Sequence, residues 1–332
     1  MPSRSPSDPH VVVVIPAHNE EELLGRTIAA IPRSIPGVDR VTILVIDDGS
    51  HDATAAAARD ADVVVRHTVN RGLARTFMTG LHAALDLGAD VIVTTDADDQ
   101  YRADGIPALL APILAGEADL VIGRRDLHDS DAYDAPKRLA HRIGRLAVRL
   151  AGGQDVPDPP SGFRAMTAAV AARTFVHSDF TYTLETTIHA ARNGFAIRSV
   201  GIDVNPVARP SRLFRAWPVY VLRSISTILR IGVLHRPFRV FASISALLFV
   251  PAVVMVGRFV VGWLRYGSTS REASLIVGVI LLGLALQFLL TAFVMDSLRA
   301  NRGLLEEQRA IRALERSRRR REPDPTSPGR VR

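Results

Sequence analysis

From Val11 to Ile122, short apolar runs alternate with longer stretches rich in Ala and Leu. The runs VVVVI, VTILVI, VVV, VIVTT and LVI have the length and β-branched content of buried strands, and the segments between them have the length of helices. Such alternation predicts βαβ units and a mostly parallel sheet, an α/β fold. In these sheets ligands sit beyond the carboxyl ends of the strands. The polar clusters fall there: HNE follows the first run, DDGS the second, NRG the third and DADDQ the fourth.

After Gly123 the regularity fades. A basic stretch from Lys137 to Arg149 and a Pro-rich turn from Pro157 to Pro160 lead to the helix-like TYTLETTIHAARNG, a half expected to carry acceptor-side elements. Arginines 215, 223 and 230 recur among Leu, Ile, Val and Trp and share one helical face, as in a helix lying along a membrane surface. An amphipathic helix packed on the soluble domain fits the same pattern, and Pro218 would sit early in the helix or break it.

Val240 to Gly257 then carries no charge over 18 residues, and Ala273 to Met295 none over 23. Each is long enough to cross a hydrocarbon core of about 30 Å, the first with help from its flanks. Joined by the polar loop Arg265 to Glu272, they predict a transmembrane hairpin. Arg316 and Arg318 to Arg321, with the arginines before Val240, put both hairpin ends and the α/β domain on the cytoplasmic side. The organisation expected is a disordered N-terminus (1–9), an α/β domain (10–210), an interfacial helix region (211–237), a two-helix hairpin (238–297) and a basic cytosolic tail (298–332).

Composition narrows the chemistry. The 41 Lys and Arg against 34 Asp and Glu give a net charge of +7, and Lys137 is the single lysine. With apolar spans beside it and no zinc-finger spacing or RNA-binding aromatic motif, that surplus points to anionic lipid or phosphate and away from nucleic acid. The absence of cysteine removes disulfides, thiolate metal sites and cysteine nucleophiles.

Asp96 and Asp98 end a strand, where carboxylates two residues apart can turn toward one divalent cation, and Gln100 adds an oxygen at the same spacing. Hard oxygen ligands suit Mg²⁺ or Mn²⁺ bridging to a diphosphate. Alone, such a pair is more commonly a solvated loop. Asp47 and Asp48, before Gly49 and Ser50, can accept hydrogen bonds from a base or ribose, while Asp48 or Ser50 can equally cap a helix. Asn19 can cap the first helix. His18, His141 and His189 lack metal-ligand spacing and read as structural.

Taken together, VVVVIPAHNEEELL, VIDDGS, TTDADDQ, VIGRR and PPSGFR resemble a family 2 glycosyltransferase of the dolichol-phosphate mannose synthase and bacterial polyprenyl-phosphate type, over about residues 10–215. The resemblance implies a GT-A fold, a nucleotide-sugar donor, Mg²⁺ or Mn²⁺, inversion at the anomeric carbon and a polyprenyl phosphate acceptor. It places Pro16, Ala17, Asn19 and Glu20 in the donor-binding first loop and Asp47 and Asp48 at the nucleoside. Asp96, Ala97, Asp98 and Gln100 fall in the metal and donor motif. Arg125 falls near the phosphates, Ser161 to Arg164 line the active site, and Glu185 matches a glutamate in the next helix.

Two departures bear on the acceptor side. Lys137, His141 and Arg145 stand where relatives often read Arg-x-x-x-Ser-x-x-x-Asn. Arg209 occupies a glycine position before the matching Ser211 and Arg212. A polyprenyl phosphate is already an oxyanion, so its attack needs positioning and charge screening and no dedicated base. Arg125, Arg164, Arg209 and Arg212 are expected to divide between leaving group and acceptor phosphate. A processive polysaccharide synthase or a transferase with another lipid acceptor is the rival reading. The former's Gln-x-x-Arg-Trp order is not met by Arg215, Ala216 and Trp217. Contact between copies through the membrane helices is compatible with either.

Overall fold

The computed structural model describes residues 9–125, 145, 148–149, 156–176, 182–205, 237–267 and 272–321. These divide into two compact units, one within residues 1–224 and 306–332 and the other within 225–305.

In the first unit the five apolar runs are strands: β1 His10–Ala17, β2 Arg40–Asp47, β3 Val63–Arg66, β4 Val91–Thr94 and β5 Leu120–Arg125. Two more complete the sheet, β6 Arg164–Thr167 and β7 Ile197–Ile202, in the order β3-β2-β1-β4-β6-β5-β7. All pairings are parallel except those of β6, which runs antiparallel between β4 and β5. The helices are α1 Leu24–Ala30, α2 Thr54–Ala57, α3 Leu73–Asp86, α4 Ile106–Leu114, α5 Ala168–Arg173 and α6 Tyr182–Arg192.

β1 is completely buried because both of its faces are covered, which is why it reads as an unbroken apolar run. α3 turns Ala74, Phe77, Leu81, Ala84 and Leu85 inward at three- and four-residue spacing. Valines 11 and 13 and Ile15 enter one core with α1 and α4 residues such as Leu24, Ile28, Ile106 and Leu109.

The helices α7 Pro237–Tyr266 and the long α8 Glu272–Arg321, the latter within the second unit as far as Leu305, contain the two charge-free runs. α8 continues without a break over residues 298–321 of the segment read as a separate tail, as its helix-prone composition allows. The partners Phe238–Phe293, Phe241–Phe288 and Ser245–Ala285 descend along α8 as they ascend along α7, so the helices are antiparallel. The Ser245 hydroxyl donates to the Ala285 carbonyl at 2.7 Å. Both helices are long and apolar enough to cross a membrane. Large apolar side chains such as Leu247, Val250, Val254, Leu264, Ile276 and Leu290 face outward.

Residues 1–8, 126–144 and 206–236 lie outside the description, so the interfacial helix expected over 211–237 falls outside the described residues apart from Pro237, which opens α7.

Candidate active site

β1 and β2 run parallel in register, which sets Ala17 beside Asp47 and brings the PAHNE and DDGS segments to one edge. The Asp48 N–H donates to the Ala17 carbonyl at 2.8 Å. The sequence suggests Asn19 as a helix cap, but α1 begins at Leu24 with no side-chain cap. Asn19 instead adopts left-handed backbone (φ 55°), and its Oδ1 accepts from the His51 N–H at 3.0 Å. Its own N–H donates to Ser50 Oγ at 3.0 Å, and the Glu20 N–H donates to Thr54 Oγ1 at 2.8 Å. Neither Asp48 nor Ser50 caps α2. Asp52 accepts from the Thr54 N–H there, at 3.0 Å.

Asp47 and Asp48 are both buried. Asp47 Oδ1 accepts from the Ser50 N–H at 2.9 Å, and Oδ2 lies 3.0 Å from Arg66 Nε, an ion pair off the hydrogen-bond axis. Asp48 Oδ1 accepts from His67 Nδ1 at 2.7 Å and the Arg71 N–H at 2.9 Å, and Oδ2 accepts from the Gly72 N–H at 2.9 Å. Burial opposes the charge on Asp48, yet His67, the Arg71 N–H, Thr76 and the Gly72 N–H together hold its carboxyl below the ordinary aspartate value. Asp48 therefore fastens the NRG turn onto β2. Gly49 (φ 66°) is required where the turn crosses, because a Cβ would stand 2.5 Å from the Val69 carbonyl carbon.

Past β4 the chain passes Asp96 and Asp98 to Asp99, in left-handed backbone at φ 56°. The Gln100 N–H donates to Asp98 Oδ1 at 3.2 Å, an Asx turn. Asn205, beyond β7, donates its N–H to the Gln100 carbonyl and its Nδ2 to the Asp99 carbonyl, each at 2.8 Å. Tyr101 forms a β-bridge with Val204, and Thr27 Oγ1 reaches the Ala97 carbonyl at 3.3 Å.

Because β6 is antiparallel, its first residue lies at the same edge as the last residues of β4; Arg164 pairs with Thr94 and with Ile122 of β5. The SGFR segment is thereby set against the carboxylates. A Cβ on Gly162 would lie 2.9 Å from Asp96 Oδ1, 3.0 Å from Oδ2 and 3.2 Å from the Tyr182 hydroxyl. Thr94 Oγ1 donates to the Gly162 carbonyl at 2.7 Å, and the Gly162 N–H donates to the Tyr101 hydroxyl at 3.1 Å. Ser161 is buried beside that hydroxyl with no aligned hydrogen bond for its Oγ. Tyr101 stacks on Phe163 and Tyr182 packs against Phe77, with centroids 5.3 and 4.3 Å apart.

The two arginines differ. Arg164 is fully buried: Nε donates to the Ser161 carbonyl at 2.7 Å, Nη1 to the Thr183 carbonyl at 2.8 Å and Thr187 Oγ1 at 3.1 Å, and Nη2 to the Pro159 carbonyl. Burial lowers its pKa to about 10, leaving it charged at neutral pH. Its donors point into the loop and α6, whereas the sequence reading expects Arg164 among the arginines that meet a phosphate. Arg125, at the end of β5, grips Asp158 in a fork, Nε to Oδ2 at 2.8 Å and Nη2 to Oδ1 at 3.0 Å.

Asp96 is pushed up to about 7, first by burial and then by the charge of Asp98; Arg125 and Arg164 pull the other way and Glu20 adds to the rise. This edge carries excess negative charge made of hard oxygens, a donor set suited to Mg²⁺ or Mn²⁺. No group of three or more His, Asp or Glu side chains among the described residues could hold a metal alone, so Asp96 and Asp98 would need oxygens from a ligand or from Gln100.

The structure thus brings Pro16, Ala17, Asn19 and Glu20 to the edge that holds Asp47 and Asp48, and sets Asp96 against Gly162 and within electrostatic reach of Arg125, with Ala97, Asp98 and Gln100 following in the same loop. Glu185, half-buried, lies in the first turn of α6 between Thr183 and Thr187. Lys137, Arg209, Ser211 and Arg212, and His141 with them, lie outside the described residues. Sequence reasoning missed Asp158, His67, Asn205, Tyr101 and Tyr182. Only Asp158 left a signal, a carboxylate set among prolines directly before SGFR.

A mostly parallel sheet with antiparallel β6 inserted, and paired carboxylates where β4 ends, define a GT-A glycosyltransferase. The glycosyl transferase family 2 profile matches residues 12–175, and the chain belongs to that family. It is 31% identical over 204 residues to an undecaprenyl-phosphate mannosyltransferase of Micrococcus luteus, covering 58% of this chain and 82% of that one. It is 28% identical over 181 residues to a UDP-N-acetylglucosamine–dolichyl-phosphate N-acetylglucosaminyltransferase of Methanococcus voltae, covering 48% and 70%. Among solved structures, glucosyl-3-phosphoglycerate synthase of Mycobacterium tuberculosis, in complex with Mn²⁺, UDP-glucose and phosphoglyceric acid, gives a TM-score of 0.53 at 23% identity. That match covers 68% of this chain and 80% of the other and is a likeness of fold.

Proposed function

We propose that this glycosyltransferase moves a hexose from a nucleoside diphosphate sugar, GDP-mannose or a UDP-sugar, to a polyprenyl phosphate at the cytoplasmic face of a membrane. The observation that carries the reading is the union, in one chain, of a family 2 domain with a hairpin whose outward side chains are apolar. The relatives support it: the names of two of them differ in sugar but both give a polyprenyl phosphate as the acceptor. Such an acceptor keeps its chain in the bilayer, so an enzyme anchored there meets it in two dimensions.

In the proposed reaction a phosphate oxygen of the acceptor attacks C1 of the sugar, the bond from C1 to the diphosphate breaks, and the configuration inverts. The nucleoside diphosphate leaves. Asp47 and the first loop from Pro16 to Glu20 would hold the nucleoside, with Asp48 fixing the turn behind it. Asp96 and Asp98, with Gln100 nearby, would hold Mg²⁺ or Mn²⁺, which when bound screens the diphosphate charge. Arg125 would face the leaving group, while Lys137, Arg209, Ser211 and Arg212 are proposed for the acceptor phosphate. Arg164 keeps the SG loop pressed against Asp96.

The test is transfer of label from GDP-mannose, UDP-glucose and UDP-N-acetylglucosamine to undecaprenyl phosphate, in membranes containing the full chain with Mn²⁺ or Mg²⁺. Label in the lipid phase that disappears in Asp98→Ala is expected and would name the sugar. Donor binding without lipid label would overturn the polyprenyl acceptor.

A further inference from the structure

We infer that Asp158 is a positioning residue for transfer: its carboxylate fixes the Arg125 guanidinium at the edge where the donor diphosphate lies, and couples it to the loop that covers Asp96. The place given to the diphosphate, beside Asp96, rests on the function proposed above.

Four observations carry the inference. The Asp158 side chain is only 1% exposed, so its charge is retained in the interior by pairing. The pair is bidentate, at 2.8 and 3.0 Å, and the Arg125 backbone N–H also reaches Asp158 Oδ2 at 3.2 Å. A fork of this kind sets the plane of the guanidinium and not merely its distance. Asp158 is also the root of the loop: its carbonyl accepts from the Ser161 N–H at 3.2 Å, and the next residue, Pro159, accepts from Arg164. Finally, the Arg125 charge is felt at Asp96 and at Tyr101, so the cation stands within electrostatic reach of the carboxylate edge.

A diphosphate gains negative charge as its bond to the sugar breaks. A cation already held in one orientation stabilises that gain without reorganising during the reaction. Loss of the fork should therefore be felt more in turnover than in donor binding.

The test uses the full chain in detergent with Asp158→Asn, Asp158→Glu, Arg125→Ala and the double variant Arg125→Ala/Asp158→Asn. Turnover and KM are measured with the donor identified above and undecaprenyl phosphate, binding with UDP and GDP in the presence of Mn²⁺, and melting temperature in parallel. Asp158→Asn is expected to lower kcat about tenfold or more with KM for the donor within about threefold, Asp158→Glu to recover part of the loss, and the double variant to be no slower than Arg125→Ala. A carboxylate that is only structural would lower the melting temperature and the active fraction, and its loss would multiply with that of Arg125. Wild-type turnover in Asp158→Asn, or multiplying losses, overturns the inference. If the wild type labels no undecaprenyl phosphate with any donor, the proposed function fails separately, and the coupling is decided by diphosphate affinity. Equal weakening in both single variants, with none further in the double, supports the inference, and additive weakening overturns it. Binding of neither nucleotide overturns both readings.

Discussion

Asn205 holds the Asp99 carbonyl at 2.8 Å from 106 residues away, and its own N–H takes the neighbouring Gln100 carbonyl. Asp99 is in left-handed backbone, which costs a non-glycine residue of order 1 kcal/mol unless its surroundings hold it there. Asn205→Ala removes one of those holds. It is expected to raise the Mn²⁺ concentration for half-maximal activity and to lower activity about tenfold, while costing only about 1 kcal/mol of stability. A metal titration of the variant alongside a thermal melt checks both; an unchanged Mn²⁺ requirement would show that the loop keeps its shape without Asn205.

Gly162→Ala places a methyl group 2.9 Å from Asp96 Oδ1, closer than van der Waals contact allows. The short Asp96 side chain cannot step aside without leaving its position. Activity should fall by about 100-fold while the melting temperature changes by only a few degrees, because a misplacement of about 1 Å suffices to cost that much. Steady-state turnover against the melt separates the two effects.

The Asp48 carboxyl is held below its ordinary value of 3.8, so its ion contributes stability above that pH and the contribution fades as pH falls through the lower folded value. Asp48→Asn keeps the volume but cannot match three hydrogen bonds, one of them from His67. It should cost about 2 kcal/mol at pH 7, and the gap to wild type should close as pH drops below 3.8. Melts from pH 7 to pH 3 are decisive: a gap that does not narrow in acid would mean that the charge is not what holds the turn.

Arg164→Met takes the arginine's hydrogen bonds from the carbonyls of Ser161 and Pro159 in a fully buried place, while the Thr183 carbonyl keeps the Thr187 hydroxyl. A loss of about 3 kcal/mol or more is expected. Arg164→Lys should recover little, since one ammonium cannot reproduce the planar fork that spans the loop and α6. Chemical denaturation of both variants in detergent measures this.

The protein contains no cysteine, so a single introduced thiol reports topology without background. If the hairpin spans the bilayer with the family 2 domain in the cytoplasm, a thiol-directed, membrane-impermeant reagent should label Tyr266→Cys from outside intact cells and leave Glu117→Cys unlabelled. Labelling of both or of neither would argue against that topology.

The α/β class, five of the seven strands, the edge that carries the polar motifs and the two long apolar helices were legible in the amino-acid order. Each depends on something local: a period, a run length, or a side chain's affinity for water. Family-specific motifs went further, because DAD, DDGS and SGFR together marked the chain as a family 2 glycosyltransferase. What only the tertiary structure decided is which group each side chain meets. Two arginines at that edge look alike in sequence, yet Arg164 turns into carbonyls of its own loop while Arg125 grips Asp158, 33 residues distant. The antiparallel β6 decides this, since it carries the loop back to the ends of β4 and β5. His67 and Asn205 acquire their parts in the same way. Hydrophobic period reports whether a residue is buried, but a polar group's partner is set by the geometry of strands far apart in the chain.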